Sequence, residues 1–248
     1  MERLLHYSLT WYKHNCGSDH SSYSDDYTCH QQSRSIMSTN SLRELILHQV
    51  FELLSNLACH VDASSFFAKA KILSHFTSLD AKVIARVPKG QYLQRLWLRF
   101  IANLTLTREG QSLLLSHTRA VEVLVDHVRS CYDEEARRLA LLGIQNLCGN
   151  ATFKTYLYKK SSGVTEVLAN ALEPTTLSSS LNSVEILLLA LTALSNAAYS
   201  CTKVRVLLKS EGFVYRLTNL KAFCQSNGKS YSHTLLPIVD LLLKALTQ

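Results

Sequence analysis

The chain has 248 residues, 26 Lys+Arg against 19 Asp+Glu, a formal net charge of +7, and an apolar share of 47% with only 8 Gly and 3 Pro. A chain this long buries about 75% of its unfolded surface, so it needs neither disulfides nor metal for stability, and its composition excludes disordered and fibrous classes. No uninterrupted apolar run of ~18 residues is present to span a membrane, and turn residues are too sparse for a sandwich or barrel.

Residues 1–40 carry Arg3, Lys13 and Arg34 against Glu2, Asp19, Asp25 and Asp26. Met1 to Asn15 lacks an apolar block with a small-residue cleavage site, so secretion is not expected. From Gly17 to Asn40 the text is Ser-rich and nearly free of aliphatic residues. Such a stretch buries too little apolar surface to offset its ordering entropy, which predicts a disordered tail over 1–40. Trp11 and Tyr12 are its candidate anchors; a loosely attached tail is the simpler reading. His14, Cys16, Cys29 and His30 have metal-ligand chemistry, yet the spacing matches no finger, so a polar tail is favoured there too.

Ser41-Leu-Arg-Glu44 has the form of a capping box and opens the helical region, 41–248. Leu45, Leu47, Val50, Phe51, Leu54 and Leu57 follow at a spacing of three to four residues, the period of a helix with one apolar face. Four helical stretches then end in a similar phrase: LLSNLAC (Leu53–Cys59), FIANLTL (Phe100–Leu106), GIQNLCG (Gly143–Gly149) and ALSNAAY (Ala193–Tyr199). Their anchors, Asn56, Asn103, Asn146 and Asn196, are spaced by 47, 43 and 50 residues. Eleven positions after each anchor stands a bulky apolar residue: Phe67, Leu114, Leu157 and Leu207. Seventeen or eighteen after come Leu73, Val121, Val164 and Phe213.

This period, divided into a short helix, a second helix and a long apolar third helix, predicts an all-α fold. Its form is an armadillo/HEAT-like right-handed superhelical stack, an α-solenoid of about four to five repeats. An irregular helical bundle is the alternative, and the matched offsets argue against it. Asp133, Glu134 and Glu135 suit the positive end of one third helix, and Gly149 sits where a left-handed cap ends it. Asn182 with Glu185 reads as the cap of the next. A final helix, Leu235 to Leu246, carries Pro237 in its expected first turn.

No catalytic or cofactor site is visible. The seven Cys form no C-x-x-C pair and read as free thiols of a reducing compartment, with Cys59, Cys148 and Cys201 in the role of small buried hydrophobes. The chain has no H-E-x-x-H, no G-x-S-x-G and no phosphate-cradling Gly loop, and Ser116 beside His117 cannot pair on one helix face. The expectation is a non-enzymatic protein without cofactor or metal.

The helical region holds 23 basic against 15 acidic side chains. Lys82, Arg86, Lys89, Arg95 and Arg99 fall together; Lys154, Lys159 and Lys160, then Lys203, Arg205 and Lys209, recur later. Solvated helix faces are the plain reading; beyond it, an acidic protein segment fits better than nucleic acid because interleaved aromatic residues are few. A basic nucleic-acid-binding repeat is the alternative from another class. Peptide-binding armadillo proteins use a ladder of third-helix Asn residues, and in nuclear-import receptors a Trp stands four positions earlier. Here those positions are Glu52, Arg99, Leu142 and Thr192, which disfavours import-cargo binding. The candidate protein contacts are Arg95, Arg99, Asn103, Arg138, Asn146 and Asn196, with capping or holding of neighbouring turns as the competing role for the Asn residues.

Three segments, LWLRFIANLTLTREGQSLLL (Leu96–Leu115), LLGIQNLCGNATFKTYL (Leu141–Leu157) and LTALSNAAYSCTKVRVLLK (Leu191–Lys209), resemble the carboxy-terminal armadillo-type region of the rotatin family. The cues are the Leu-Trp-Leu-Arg-Phe start, the Gly110-Gln111 pair, and the Asn–Ala–Phe–Lys turn over Asn150–Lys154; the likeness covers about 41–248. It implies a non-enzymatic scaffold of the cytoplasm, at the centrosome, centriole and ciliary basal body. Such a protein acts in centriole assembly or cohesion and in cilium function, with centriolar or ciliary proteins as partners. This chain is very much shorter than the family's members, and no functional residue transfers.

Overall fold

The computed structural model describes residues 45–248 apart from 47, 70–71, 77–89, 117–118, 131–132, 160–162, 174–180 and 228–231. The expected tail, its histidine–cysteine cluster, the Ser41–Glu44 capping box, and Lys82, Arg86, Lys89 and Lys160 lie outside the described residues.

The described residues form helices and no strand. In chain order these are α1 (48–57), α2 (Ala63–Lys69), α3 (Ile72–Phe76), α4 (Gly90–Leu104), α5 (Arg108–Leu115), α6 (Ala120–Ser130), α7 (Glu134–Cys148), α8 (Ala151–Lys159), α9 (Val164–Ala171), α10 (Leu181–Ala198), α11 (Thr202–Ser210), α12 (Phe213–Asn227) and α13 (Ser232–Thr247). Every third helix packs on the next: α4 on α7, α7 on α10, and α10 on α13. The first helices touch in the same manner, α2 with α5 and α8 with α11, and among the second helices α6 meets α9. Equivalent helices meeting along the chain make an all-α solenoid of the armadillo type, in which neighbouring units supply each other's core.

Side-chain size sets how the units approach. The first described units close over an aromatic cluster: Phe51 against Trp97 at 5.0 Å between ring centroids, Trp97 against Phe100 at 5.3 Å, and Phe67 edge-on to Phe100 at 5.2 Å. Farther on, small residues replace rings. Ala136, Ala140, Ala190, Ala193 and Ala197 are buried in the third-helix row, and a Cβ on Gly143 would come within 3.6 Å of Leu124. Small side chains allow close helix approach, so α7 sits between α4, α6 and α10 and α10 is apolar on most sides.

The offset residues lie where the repeat reading puts them. Phe67, Leu114 and Leu157 are buried in first helices; Leu73, Val121, Val164 and Phe213 are buried at or near the starts of second helices. In α11 the register moves by one, with Val204 and Leu208 buried and Leu207 only partly so. Asp133 is the N-cap of α7, its carboxylate accepting from the Ala136 N–H at 3.1 Å, and Glu134 and Glu135 occupy the first turn.

Four local expectations need correction. Gly149 has φ −75°, so α7 ends in right-handed geometry; among the described residues the left-handed positions are Gly163, Gly212 and Ser200. The tight passage from α7 into α8 is instead held by Asn150, whose side-chain oxygen accepts from the Thr152 and Phe153 N–H groups at 2.9 and 3.3 Å. Described α10 already begins at Leu181, so Asn182 stands inside its first turn, and Glu185 is engaged by Arg138. Helix α13 starts at Ser232, three residues before the expected Leu235, which moves Pro237 into the second turn. Cys59 is exposed because it follows α1 in an open turn, whereas Cys148 and Cys224 are buried.

Candidate functional site

Arg95, Arg99 and Asn103 recur every four residues on α4, and Arg138, Leu142 and Asn146 do so on α7, so each set shares one helix face. Asn196 occupies the matching place on α10. The six candidate residues therefore lie on the third-helix row, but their side chains do different things.

The asparagine amides cross unit boundaries. Asn103 Nδ2 donates to the backbone oxygen of Ser55 at 3.0 Å and to its hydroxyl at 3.1 Å. Asn146 Nδ2 donates to the Thr105 hydroxyl at 3.0 Å, and Asn196 Nδ2 to the backbone oxygen of Gln145 at 3.4 Å. Each amide thus reaches the end of the preceding third helix, where backbone carbonyls lack intrahelical partners. Gln111 extends this bracket, donating to the backbone oxygens of Thr105 at 2.9 Å and Asn146 at 3.4 Å and accepting from Asn150 Nδ2 at 3.0 Å. Gln111 and Asn150 were apparent in the sequence only as motif residues; their contacts make them unit connectors. Among the described residues no donor reaches the side-chain oxygens of Asn103, Asn146 or Asn196.

Two of the arginines are also committed to neighbours. Arg95 Nε donates to Asp133 Oδ2 at 2.7 Å, tying α4 to the cap of α7; the Asp133 side chain is 2% exposed and that of Arg95 45%. Arg138 forks onto Glu135 at 2.7 and 2.8 Å and reaches Glu185 of α10 at 3.0 Å. Its hydrogen bond holds the Glu135 carboxyl below the usual range against the opposing effect of burial, and the same bond with Glu135 raises the Arg138 guanidinium. Arg99 differs: it is exposed and makes no ion pair among the described residues. Tyr92, a partly exposed ring three residues before Arg95, stacks on His48 of α1 at 4.7 Å and broadens this face; nothing in its spacing marked it.

Among the described residues no group of three His, Cys, Asp or Glu side chains is placed to hold a metal ion, and no helix is long and apolar enough to cross a membrane. The arrangement is one of exposed and half-buried polar groups along the third-helix row.

Comparison with known proteins gives the same architecture. The designed armadillo repeat protein YIII(Dq)4CqI superimposes with a TM-score of 0.51 at 17% identity, covering 96% of this chain and 99% of that one. At such identity the likeness speaks for the fold alone. Over 129 residues the chain is 30% identical to Rotatin of Mus musculus, a stretch of 50% of this chain and 5% of that protein. The chain therefore matches only a small part of Rotatin's length. No family model matches.

Proposed function

We propose that this chain is a non-catalytic protein-interaction scaffold of the armadillo type, acting at the centriole and ciliary basal body and docking protein partners on its third-helix row. The observation that carries the docking surface is Arg99. Arg95 and Arg138 are neutralised by Asp133, Glu135 and Glu185, while Arg99 projects from the same row without such a partner among the described residues. A guanidinium without an ion pair among the described residues, beside half-buried asparagines, suits a polypeptide that offers one carboxylate and several backbone N–H donors. The armadillo fold and the partial likeness to Rotatin support the scaffold and its centriolar setting.

Arg95 is a poor test of this surface because reversing its charge would disturb the cap of α7. Arg99→Glu removes the proposed contact and leaves the brackets in place. Proximity labelling in ciliated cells should enrich centriolar or basal-body proteins around the wild-type chain, and Arg99→Glu should reduce that enrichment several-fold. Labelling without centriolar proteins would overturn the setting; labelling indifferent to Arg99→Glu would overturn the surface.

A further inference from the structure

Along most of the stack, units are joined by paired charges. Arg95–Asp133 and Arg138–Glu185 connect third helices, Arg129 meets Glu166 at 2.7 Å between second helices, and Arg216 meets Glu173. Between the first helices α8 and α11 the joints are of another kind. Lys154 of α8 donates to the backbone oxygen of Tyr199 at 2.6 Å, with its ammonium 5.8 Å from that ring's centroid. In return Lys203 of α11 lies over the Tyr158 ring of α8 at 5.2 Å. Cation–ring contacts hold the helices together without cancelling charge.

Positive charge consequently accumulates on this ridge. Neither ATFKTYLYK of α8 nor TKVRVLLKS of α11 contains an Asp or Glu. Lys154, Lys203, Arg205 and Lys209 make no ion pair among the described residues; Arg205 bonds only the Thr202 hydroxyl, at 3.1 Å. Glu211 follows as the cap of α11 and is the one carboxylate adjoining these helices in sequence. Tyr199 is 75% exposed and Val206 59%, so the ridge also offers apolar surface between its cations.

We propose that the α8–α11 ridge is a second docking surface, for an acidic polypeptide segment rich in Glu and Asp. Two adjacent helices, their axes about 10 Å apart, span a footprint of roughly 20 Å. An extended chain rising ~3.3 Å per residue covers that with about six residues, of which alternate side chains, about three, face the ridge and can set carboxylates against Lys154 and Lys203 at the joint and a flanking cation of α11. Nucleic acid is the poorer occupant because single strands stack on successive open rings, and here Tyr158 is partly buried under Lys203 while Tyr199 is exposed. The surface is distinct from the third-helix row and stands whether or not that row binds a partner.

The test is fluorescence anisotropy with the full chain at low salt, using labelled decaglutamate, decaglutamine and decathymidylate as probes. Decaglutamate should bind at least about tenfold more tightly than either of the others, and its affinity should fall as salt rises. Lys203→Gln with Lys209→Gln, both at exposed positions, should weaken decaglutamate binding about tenfold, as should Lys154→Gln with Lys203→Gln. Lys69→Gln, at an exposed position on α2 outside both surfaces, should leave it unchanged, and circular dichroism melts establish that the variants are folded. Absence of decaglutamate binding, indifference to the folded lysine variants, equal loss with Lys69→Gln, or oligonucleotide binding as tight as decaglutamate would each overturn the proposal.

Discussion

Gly110 is where the passage from a third helix into the next first helix has least room. A Cβ placed there would lie 1.9 Å from the backbone oxygen of Leu104 and 2.9 Å from both its carbonyl carbon and the Thr107 hydroxyl oxygen. Ordinary carbon–oxygen contacts begin at about 3.3 Å, so Gly110→Ala must move backbone, since the obstacle is a carbonyl. Overpacking of this kind costs about 1–3 kcal/mol, and displacing Thr107, whose hydroxyl caps α5 by accepting from the Gly110 N–H at 3.0 Å, costs about 1 more. The expected total of about 2–4 kcal/mol corresponds to a fall in Tm of roughly 10 °C for a domain of this size. Gly149→Ala is the control: its φ is −75°, and the nearest atom to an added Cβ is 3.6 Å away. That change should be neutral or raise Tm slightly by reducing the freedom of the unfolded chain. Thermal melts followed at 222 nm compare the two. Equal melting of Gly110→Ala and the wild type, or equal falls for both variants, would refute the reasoning about unit junctions.

Further outcomes follow from the core and the brackets. Leu147 is fully buried on α7, so Leu147→Asp should destabilise by several kcal/mol through an unpaired buried charge; an unchanged melt would contradict the register of the stack. Asn103→Ala removes the donor to the buried Ser55 and should cost about 1–2 kcal/mol in denaturant titration, with an effect below about 0.3 kcal/mol counting against the bracket. Burial pushes the Cys148 thiol up to about 12, so at pH 8 it stays protonated and should resist a thiol reagent until the chain unfolds. Exposed Cys59 should react at once, and peptide mapping that finds both modified equally fast in the folded protein would contradict this placement.

The stacked architecture was legible because its signal is repeated. The spacing of Asn56, Asn103, Asn146 and Asn196 marked equivalent third-helix ends, and their offsets located Phe67, Leu114, Val121 and Val164 in the core. Local endings were harder to read. Gly149 occupies a usual position for left-handed geometry, yet Asn150 completes that junction through its side chain and leaves Gly149 right-handed. Pro237 suggested a helix start, whereas the preceding turn from Ser232 is already helical. The ties of Arg95 to Asp133, Arg138 to Glu185 and Lys154 to Tyr199 link residues 38, 47 and 45 positions apart, and no local pattern specifies such partners. The candidate surface could thus be located on third helices, but which of its cations are already committed became visible only from the packing.

Photo-crosslinking bears most directly on the scaffold account. A benzophenone amino acid placed at Arg99 on the third-helix row, and separately at exposed Ala222 on the second helix α12, samples two faces of one folded chain in ciliated cells. The account predicts adducts with centriolar proteins from position 99 and their absence from position 222. No such adducts at 99, or the same adducts from both positions, would contradict it.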